Sequence, residues 1–242
     1  MIEPARIALV TGANKGIGLE IARQLAEAGV TMIIGARDPD RGMAAVADLA
    51  AQGLEAEFVR LDLTDEAGIA AAAAEIATRH GRLDILVNNA GIVDEGDGPP
   101  SVATTRAVRR ILETNFIGTL AVTQAMLPLL RRSAAGRIVN LSSSLGSLAG
   151  NGDPSSPYYA ARLIGYNASK AALNMLTVQL SEELRDTRIA VNSVSPGFVK
   201  TDMTGLGFLT PEQGARLPVA FALQGEDAVS GRFVEASGET PW

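Results

Sequence analysis

Tyr166 and Lys170 stand four residues apart in Tyr166-Asn167-Ala168-Ser169-Lys170, so on a helix they share one face. A phenol held beside an ammonium is a proton donor of adjustable acidity. Its ordinary pKa of ~10 is poorly matched to neutral pH, and moving it by about three units takes about 4 kcal/mol of differential stabilisation. Lys170 is a means of supplying that. The second stretch with chemistry in it is Thr11-Gly12-Ala13-Asn14-Lys15-Gly16-Ile17-Gly18. It follows the apolar run Ile7 to Val10 and leads into Ile17 to Ala26, whose apolar residues recur at helical spacing. That order is strand, glycine turn, helix. Glycines bring bare N–H groups against a ligand and a helix start adds partial positive charge, so an anionic phosphate is the natural guest. A glycine turn alone is weak evidence, because tight turns without ligands carry glycines too.

Strands must hold these groups. After the first strand and helix, Val30 to Gly35 reads as a second strand, Glu55 to Leu63 as a third and Leu83 to Val87 as a fourth. Arg137 to Leu141 is a fifth, Ile189 to Val194 a sixth and Gly231 to Glu235 a short last one. Helices are expected from Ala44 to Ala51 after the turn and cap Asp38-Pro39-Asp40, and from Thr64-Asp65-Glu66 onward. A longer helical region covers about Ser101 to Arg132, and a last helix begins between Tyr158 and Tyr166 and runs to about Arg185. Alternation of this kind implies parallel pairing with helices on both faces: one α/β domain over residues 1–242, doubly wound and three-layered. In such sheets ligands sit beyond the strand C-termini, and the chemical residues fall there. They are residues 11–18, Arg37, Asp62, Asn88 to Gly91, Ser142 to Ser144, and Pro196-Gly197.

Composition narrows the function classes. The 242 residues are 47% hydrophobic and carry a formal net charge of −6, a balance that argues against a nucleic-acid surface. There is no cysteine and one histidine, so a thiolate or multi-histidine metal site and a Ser-His-Asp triad are disfavoured, and no metal is expected. His80 stands beside Gly81 at an apparent helix end, where a dipole interaction is the better reading. No stretch reads as a leader or a membrane span, and a cytoplasmic protein is the expectation.

Taken with Thr11 to Gly18 and Ser195-Pro196-Gly197, the stretches Asn88-Asn89-Ala90-Gly91, Asn140-Leu141-Ser142-Ser143 and Tyr166 to Lys170 make the chain resemble the short-chain dehydrogenase/reductase family over almost its whole length. The glycine turn, Ala36-Arg37-Asp38 and the extended segment before Tyr166 resemble its NADPH-dependent carbonyl reductase branch. The resemblance implies a Rossmann-like fold and NADPH-dependent reduction of a ketone or aldehyde to an alcohol, with Tyr166 as proton donor. It further implies that Lys170 binds the nicotinamide ribose and that Asn115, in Thr114-Asn115-Phe116-Ile117-Gly118, holds a water-linked proton relay. From the residue alone Asn115 reads as a helix-interior side chain bonding to backbone. The family pattern also selects Ser143, followed after two residues by Gly146, as the serine that bonds to the substrate oxygen; Ser142 and Ser144 are left as turn formers.

Cofactor contacts carried by the resemblance are Gly12, Asn14, Lys15, Gly16, Ile17 and Gly18 at the phosphates, and Asp62 and Leu63 near adenine. Asn88 and Ala90 follow along the ribose with Gly91 next to them, Pro196 and Gly197 lie beside nicotinamide, and Val199 and Thr201 reach the carboxamide and phosphate. Asp62 alternatively reads as a cap shared with Thr64. Where an NAD site would place a carboxylate, this chain has Ala36 followed by Arg37. With Lys15, and Arg41 assisting, Arg37 favours a 2′-phosphate. Asp38 would repel that phosphate if it pointed inward, but its place before Pro39 suits a cap.

Ser143 and Tyr166 are 23 apart, a longer spacing than most members of the family have. The extra residues form an insertion at about 149–163 on the active-site rim, and Gly150 to Pro154 is not expected to be regular helix. The insertion leaves oligomeric state open between homo-oligomer and monomer. A lid is expected at about 202–218, with Phe198, Met203, Leu206, Phe208 and Leu209 as one apolar wall of the pocket and Leu145, Tyr158 and Tyr159 as the other. The alternative function is a non-catalytic NADP(H)-binding regulatory or redox-sensing protein. The full set Asn115, Ser143, Tyr166 and Lys170 weighs against it, since binding alone needs no proton donor.

Overall fold

The computed structural model describes residues 5–203 and 205–242; Thr204, inside the expected lid, lies outside them. Short apolar runs form the strands β1 (Ile7–Thr11), β2 (Thr31–Ala36), β3 (Ala56–Arg60), β4 (Ile85–Asn88), β5 (Arg137–Leu141), β6 (Ala190–Val194), β7 (Phe233–Glu235) and β8 (Gly238–Glu239). They build one sheet in the order β3-β2-β1-β4-β5-β6-β7-β8. Every pairing from β3 through β7 is parallel, and only β8 runs antiparallel to its neighbour.

The crossovers supply helices α1 (Gly16–Glu27), α2 (Pro39–Ala51), α3 (Glu66–His80), α4 (Thr105–Leu112), α5 (Thr119–Leu130), α6 (Leu148–Gly152), α7 (Ile164–Glu183) and α8 (Pro211–Ala222). Successive strand residues point to opposite faces, so the sheet has two cores. On one face Ala8, Val10, Met32, Ile34, Ile85, Val87 and Val139 pack against Ile21 and Leu25 of α1, Leu49 of α2 and Ala215 and Val219 of α8. On the other, Leu9, Ile33, Leu86, Ile138 and Val191 meet Ile69 and Ile76 of α3, Val122 and Met126 of α5 and Leu180 of α7. The expected three-layer, doubly wound α/β fold is the observed one. The local signals also operate as read: the Asp38 carboxylate caps α2 by accepting from the Arg41 N–H at 3.1 Å, and Gly81 ends α3 in the left-handed region.

Four segments differ from expectation. The third strand is five residues rather than the whole of Glu55 to Leu63, because beyond Arg60 only Leu61 still bonds back to Ala36. The expected helix across Ser101 to Arg132 begins only at Thr105 and is interrupted by a π-helical turn, Glu113–Gly118. Such a turn adds a residue to the ladder and re-aims its neighbours, here around Asn115. Gly150 to Gly152 is helical after all, since the Ser147 hydroxyl caps α6 through the Gly150 N–H at 2.9 Å; the helix stops at Asp153, ahead of Pro154. Residues 211–218 of the expected lid are core helix. Thr210 and Gln213 form a reciprocal capping box, Pro211 sits in the first turn, and the helix buries Gly214, Ala215 and Pro218.

The π-turn is seated by a glycine. A Cβ at Gly118 would be driven into the carbonyl oxygen of Leu63 and lie 2.7 Å from its Cβ, with backbone on the other side unable to yield. Gly118→Ala is therefore expected to lower the unfolding free energy by about 1–3 kcal/mol, measured by urea denaturation.

Candidate active site

One cleft of about 840 Å³ runs along the C-terminal ends of the central strands, from Arg37 and Asp62 at one end to Tyr166 and Lys170 at the other. Its floor is the glycine turn. Gly12 has φ +65°, and a Cβ there would lie 3.0 Å from the Ala90 Cα; at Gly18 a Cβ would lie 2.6 Å from the Gly12 oxygen. The turn is tied to β4 by side chains. Asn89 donates to the carbonyls of Thr11 and Gly12 at 2.8 and 3.2 Å, while the Thr11 hydroxyl accepts from the Asn89 and Ala90 N–H groups at 3.0 and 2.9 Å. The start of α1 has no side-chain cap and no acidic residue in its first turn. Its amide groups and partial positive charge therefore face the cleft, which suits an anion.

Gly12, Asn14, Lys15, Gly16, Ile17, Gly18, Arg37, Asp62, Leu63, Ala90, Gly91, Tyr166, Lys170, Pro196 and Thr201 all line this cleft. Asp62 also does what a local turn residue does: its carboxylate accepts from the Thr64 N–H and hydroxyl at 3.0 and 2.8 Å, bonds that hold its pKa below the usual range. The cap of α3 is Asp65, not Asp62. At the outer end Arg37 is exposed, and the Lys15 ammonium forms a 2.8 Å ion pair with Asp202 across the cleft mouth.

The remaining expected contacts are placed differently. The Asn88 side chain is buried, donating to Thr123 at 3.0 Å and Asn140 at 2.8 Å; it belongs to the sheet interior, and its neighbour Asn89 reaches the cleft. Asn140 donates onward to Thr177 at 2.8 Å, which meets Ser193 at 2.8 Å, so a ladder of polar side chains crosses β4, β5 and β6 inside the core. Val199 buries its side chain against Gly214 and pairs with Leu209, a bridge whose bonds run through Lys200 and Phe198. The peptide N–H and C=O of Val199 itself stay outside that bridge. Gly197 takes φ +81° where the chain leaves β6.

At the inner end, the turn after β5 carries Ser143 and α7 carries Tyr166 and Lys170. Ser143 caps a single 3-10 turn, Ser144–Gly146, through the Leu145 N–H, and its hydroxyl is near enough to the Tyr166 phenol to lower its pKa. Ser142 is turned away, donating to Asn174 at 2.6 Å, and Ser144 donates to Glu235 at 2.5 Å. Asn115 is 1% exposed. Its amide oxygen accepts from the Ile92 N–H at 2.8 Å, and its amide nitrogen donates to the Ile92 carbonyl and the Ser169 hydroxyl at 3.0 Å each. Its side chain thus clasps the segment after β4 that lines the cleft.

Lys170, 5% exposed, donates to the Leu141 carbonyl at 2.7 Å and stands 5.5 Å from the centre of the Tyr166 ring. Burial pushes the Lys170 pKa down to about 8. Burial also pushes the Tyr166 pKa up to about 12, against the lowering effect of Ser143. Loss of water round the hydroxyl outweighs the effect of Ser143, and the phenol is protonated at neutral pH. The Lys170 shift has a consequence for stability. Between about pH 8 and the unfolded value of 10.5 the unfolded chain holds more protons, so stability rises with pH through that window. Wild type should gain about 2 kcal/mol more between pH 7.5 and 9.5 than Lys170→Met, measured by urea unfolding at the two pH values.

With this geometry in view, the chain's likeness to known proteins is informative. The sequence profile of the short chain dehydrogenase family matches residues 6–207. Short-chain dehydrogenase/reductase 1 of Saponaria officinalis is 35% identical, over 98% of this chain and 96% of that protein. Carbonyl reductase (NADPH) 1 of Mus musculus is 33% identical over 98% of each. The crystal structure of NADPH-bound carbonyl reductase from chicken fatty liver superposes with a TM-score of 0.85 at 32% identity, covering 98% of this chain and 99% of that one. A match over most of the length, in sequence and in fold, shows that the chain belongs to the short chain dehydrogenase family.

Proposed function

We propose that this protein reduces a ketone or aldehyde to an alcohol with NADPH. The observation that carries the proposal is the Tyr166 phenol, protonated at neutral pH and set beside Lys170, at the inner end of a cleft whose outer end presents Lys15 and Arg37.

The cleft fits the cofactor. The uncapped start of α1 and the amides from Asn14 to Gly18 would receive the diphosphate, and Arg37 with Lys15 the 2′-phosphate. Asp62 and Leu63 would border the adenine, Ala90 and Gly91 the ribose, and Lys170 and Tyr166 the second ribose. Pro196, Gly197 and Thr201 would border the nicotinamide end, with the Val199 peptide groups available to its carboxamide. The mouse and chicken relatives are named for NADPH, which supports this choice of cofactor. Bound there, NADPH supplies the hydride that goes to the carbonyl carbon.

The chain's own groups handle the oxygen. Tyr166 gives its phenolic proton to the carbonyl oxygen, and the Ser143 hydroxyl donates a second hydrogen bond to the same atom. Burial keeps the phenol in its protonated, donating form at neutral pH. The Lys170 ammonium offsets the charge left on Tyr166 when its proton departs. Substrate would lie under the segment from Phe198 to Leu209, pinned at its base by the Val199–Leu209 bridge. There Met203 lines the cleft, and the Phe198 and Phe208 rings meet edge to face at 5.5 Å with Phe208 90% exposed.

Initial rates of NADPH and NADH oxidation against aldehydes, diketones, aryl ketones and quinones test the reading. Turnover should prefer NADPH and fall by about 10²–10⁴-fold in Tyr166→Phe; activity that survives this change removes Tyr166 as the acid. Arg37→Ala should weaken NADPH binding about tenfold and leave NADH unaffected, a gap that narrows as salt is added in a fluorescence titration.

A further inference from the structure

The helix that carries Tyr166 and Lys170 begins without a cap of its own: Leu163, at the cap position, offers no side-chain acceptor. Yet its first amides are not left bare. The Asp97 carboxylate, 69 residues earlier in the chain, accepts from the Tyr166 N–H at 2.9 Å through one oxygen and from the Gly165 N–H at 2.8 Å through the other. The second oxygen also accepts from the Gly98 N–H at 2.9 Å, and the Gly98 carbonyl accepts from the Ile164 N–H at 2.9 Å. Contact at this point is close, since a Cβ at Gly165 would lie 3.1 Å from the Asp97 oxygen.

Asp97 sits on the segment between β4 and α4, the same segment that Asn115 clasps at Ile92. Asn115 also donates to Ser169, whose hydroxyl donates to the Tyr166 carbonyl at 2.7 Å. The two peptide groups of Tyr166 are thus held from one loop: its N–H by Asp97 directly, its C=O through Ser169 and Asn115. A side chain on the first turn of a helix swings with that turn, and the first turn is where helices fray.

We infer that Asp97 is a positioning residue for Tyr166, fixing the height and rotation of the first turn of α7 so that the phenol meets Ser143. The inference rests on the reading of Tyr166 as proton donor. A carboxylate is suited to the task because its two oxygens accept from successive amides at once, which a single hydroxyl or amide oxygen does less completely. Its negative charge is also complementary to a helix start.

The test uses Asp97→Asn, which keeps one acceptor oxygen, and Asp97→Ala, which keeps none. Expected are a kcat lowered about tenfold in Asp97→Asn and further in Asp97→Ala, with KM for the carbonyl and the Kd for NADPH within about twofold of wild type. Amide hydrogen exchange should speed up over 164–167 while α1 and the glycine turn keep their protection. Folded Asp97→Ala with wild-type kcat, or a kcat loss that follows a general drop in melting temperature with no local change in exchange, would overturn the inference. Wild type that turns over no carbonyl would instead overturn the function reading, and the exchange over 164–167 would then decide on Asp97 alone.

Discussion

A parallel sheet has to carry every crossover from the edge where strands end back to the edge where they begin, so all of its strands end on one side. That constraint is what assembles this site. The five strand ends that follow residues 11, 36, 88, 141 and 194 lie side by side, so groups scattered from Gly12 to Thr201 share one cleft. Right-handed crossovers then put α1 and α8 on one face and α3, α5 and α7 on the other. The cleft opens between the layers, with the start of α1 at one end and the start of α7 at the other. Nothing in the site is contributed by a separate domain. Its precision comes from short side-chain ties between neighbouring strand ends, such as those from Asn89 to Thr11 and Gly12.

Much of this was legible in the residues. Apolar runs separated by helical spacing pointed to a parallel sheet, and glycines at 12, 16 and 18 after the first strand marked the turn that lines the cleft. The Tyr166 and Lys170 spacing placed both on one face of α7, where they are found. Other features depend on partners far along the chain. Asn88 and Asn89 are the same residue type, and only the direction of the strand's last residue sends one into the core and the other into the cleft. The π-turn at Glu113–Gly118 leaves no local sequence signature, because it answers to the fit of Gly118 on Leu63. Residues 211–218 were expected in a lid and are helix, with Pro211 in a capped first turn and Pro218 on a buried helix face. The loss of water that raises the Tyr166 pKa depends on what packs round the phenol, which a sequence does not show.

The inner end of the cleft combines opposed protonation tendencies. One buried environment makes the phenol harder to ionise and the ammonium easier to discharge, so both groups are pushed towards their neutral forms. Lys170 donates to the Leu141 carbonyl, a main-chain acceptor at the end of β5 that cannot move without moving the sheet. Ser143 follows two residues later on the same strand end. The alignment of hydroxyl, phenol and ammonium is therefore a property of one junction, where β5 passes under α7.

The polar ladder behind that junction carries an implication of another kind. Thr123, Asn88, Asn140, Thr177 and Ser193 are each buried, and each holds the next across strands and helices of both halves of the fold. Changing one of them alone strands a donor or acceptor in the dry interior, whereas a matched change in its neighbour need not. These five positions are thereby expected to drift together across related sequences. A change at Asn88 should be read in the company of whatever stands at Asn140 and Thr123, and the core in effect remembers the pairings it was built with.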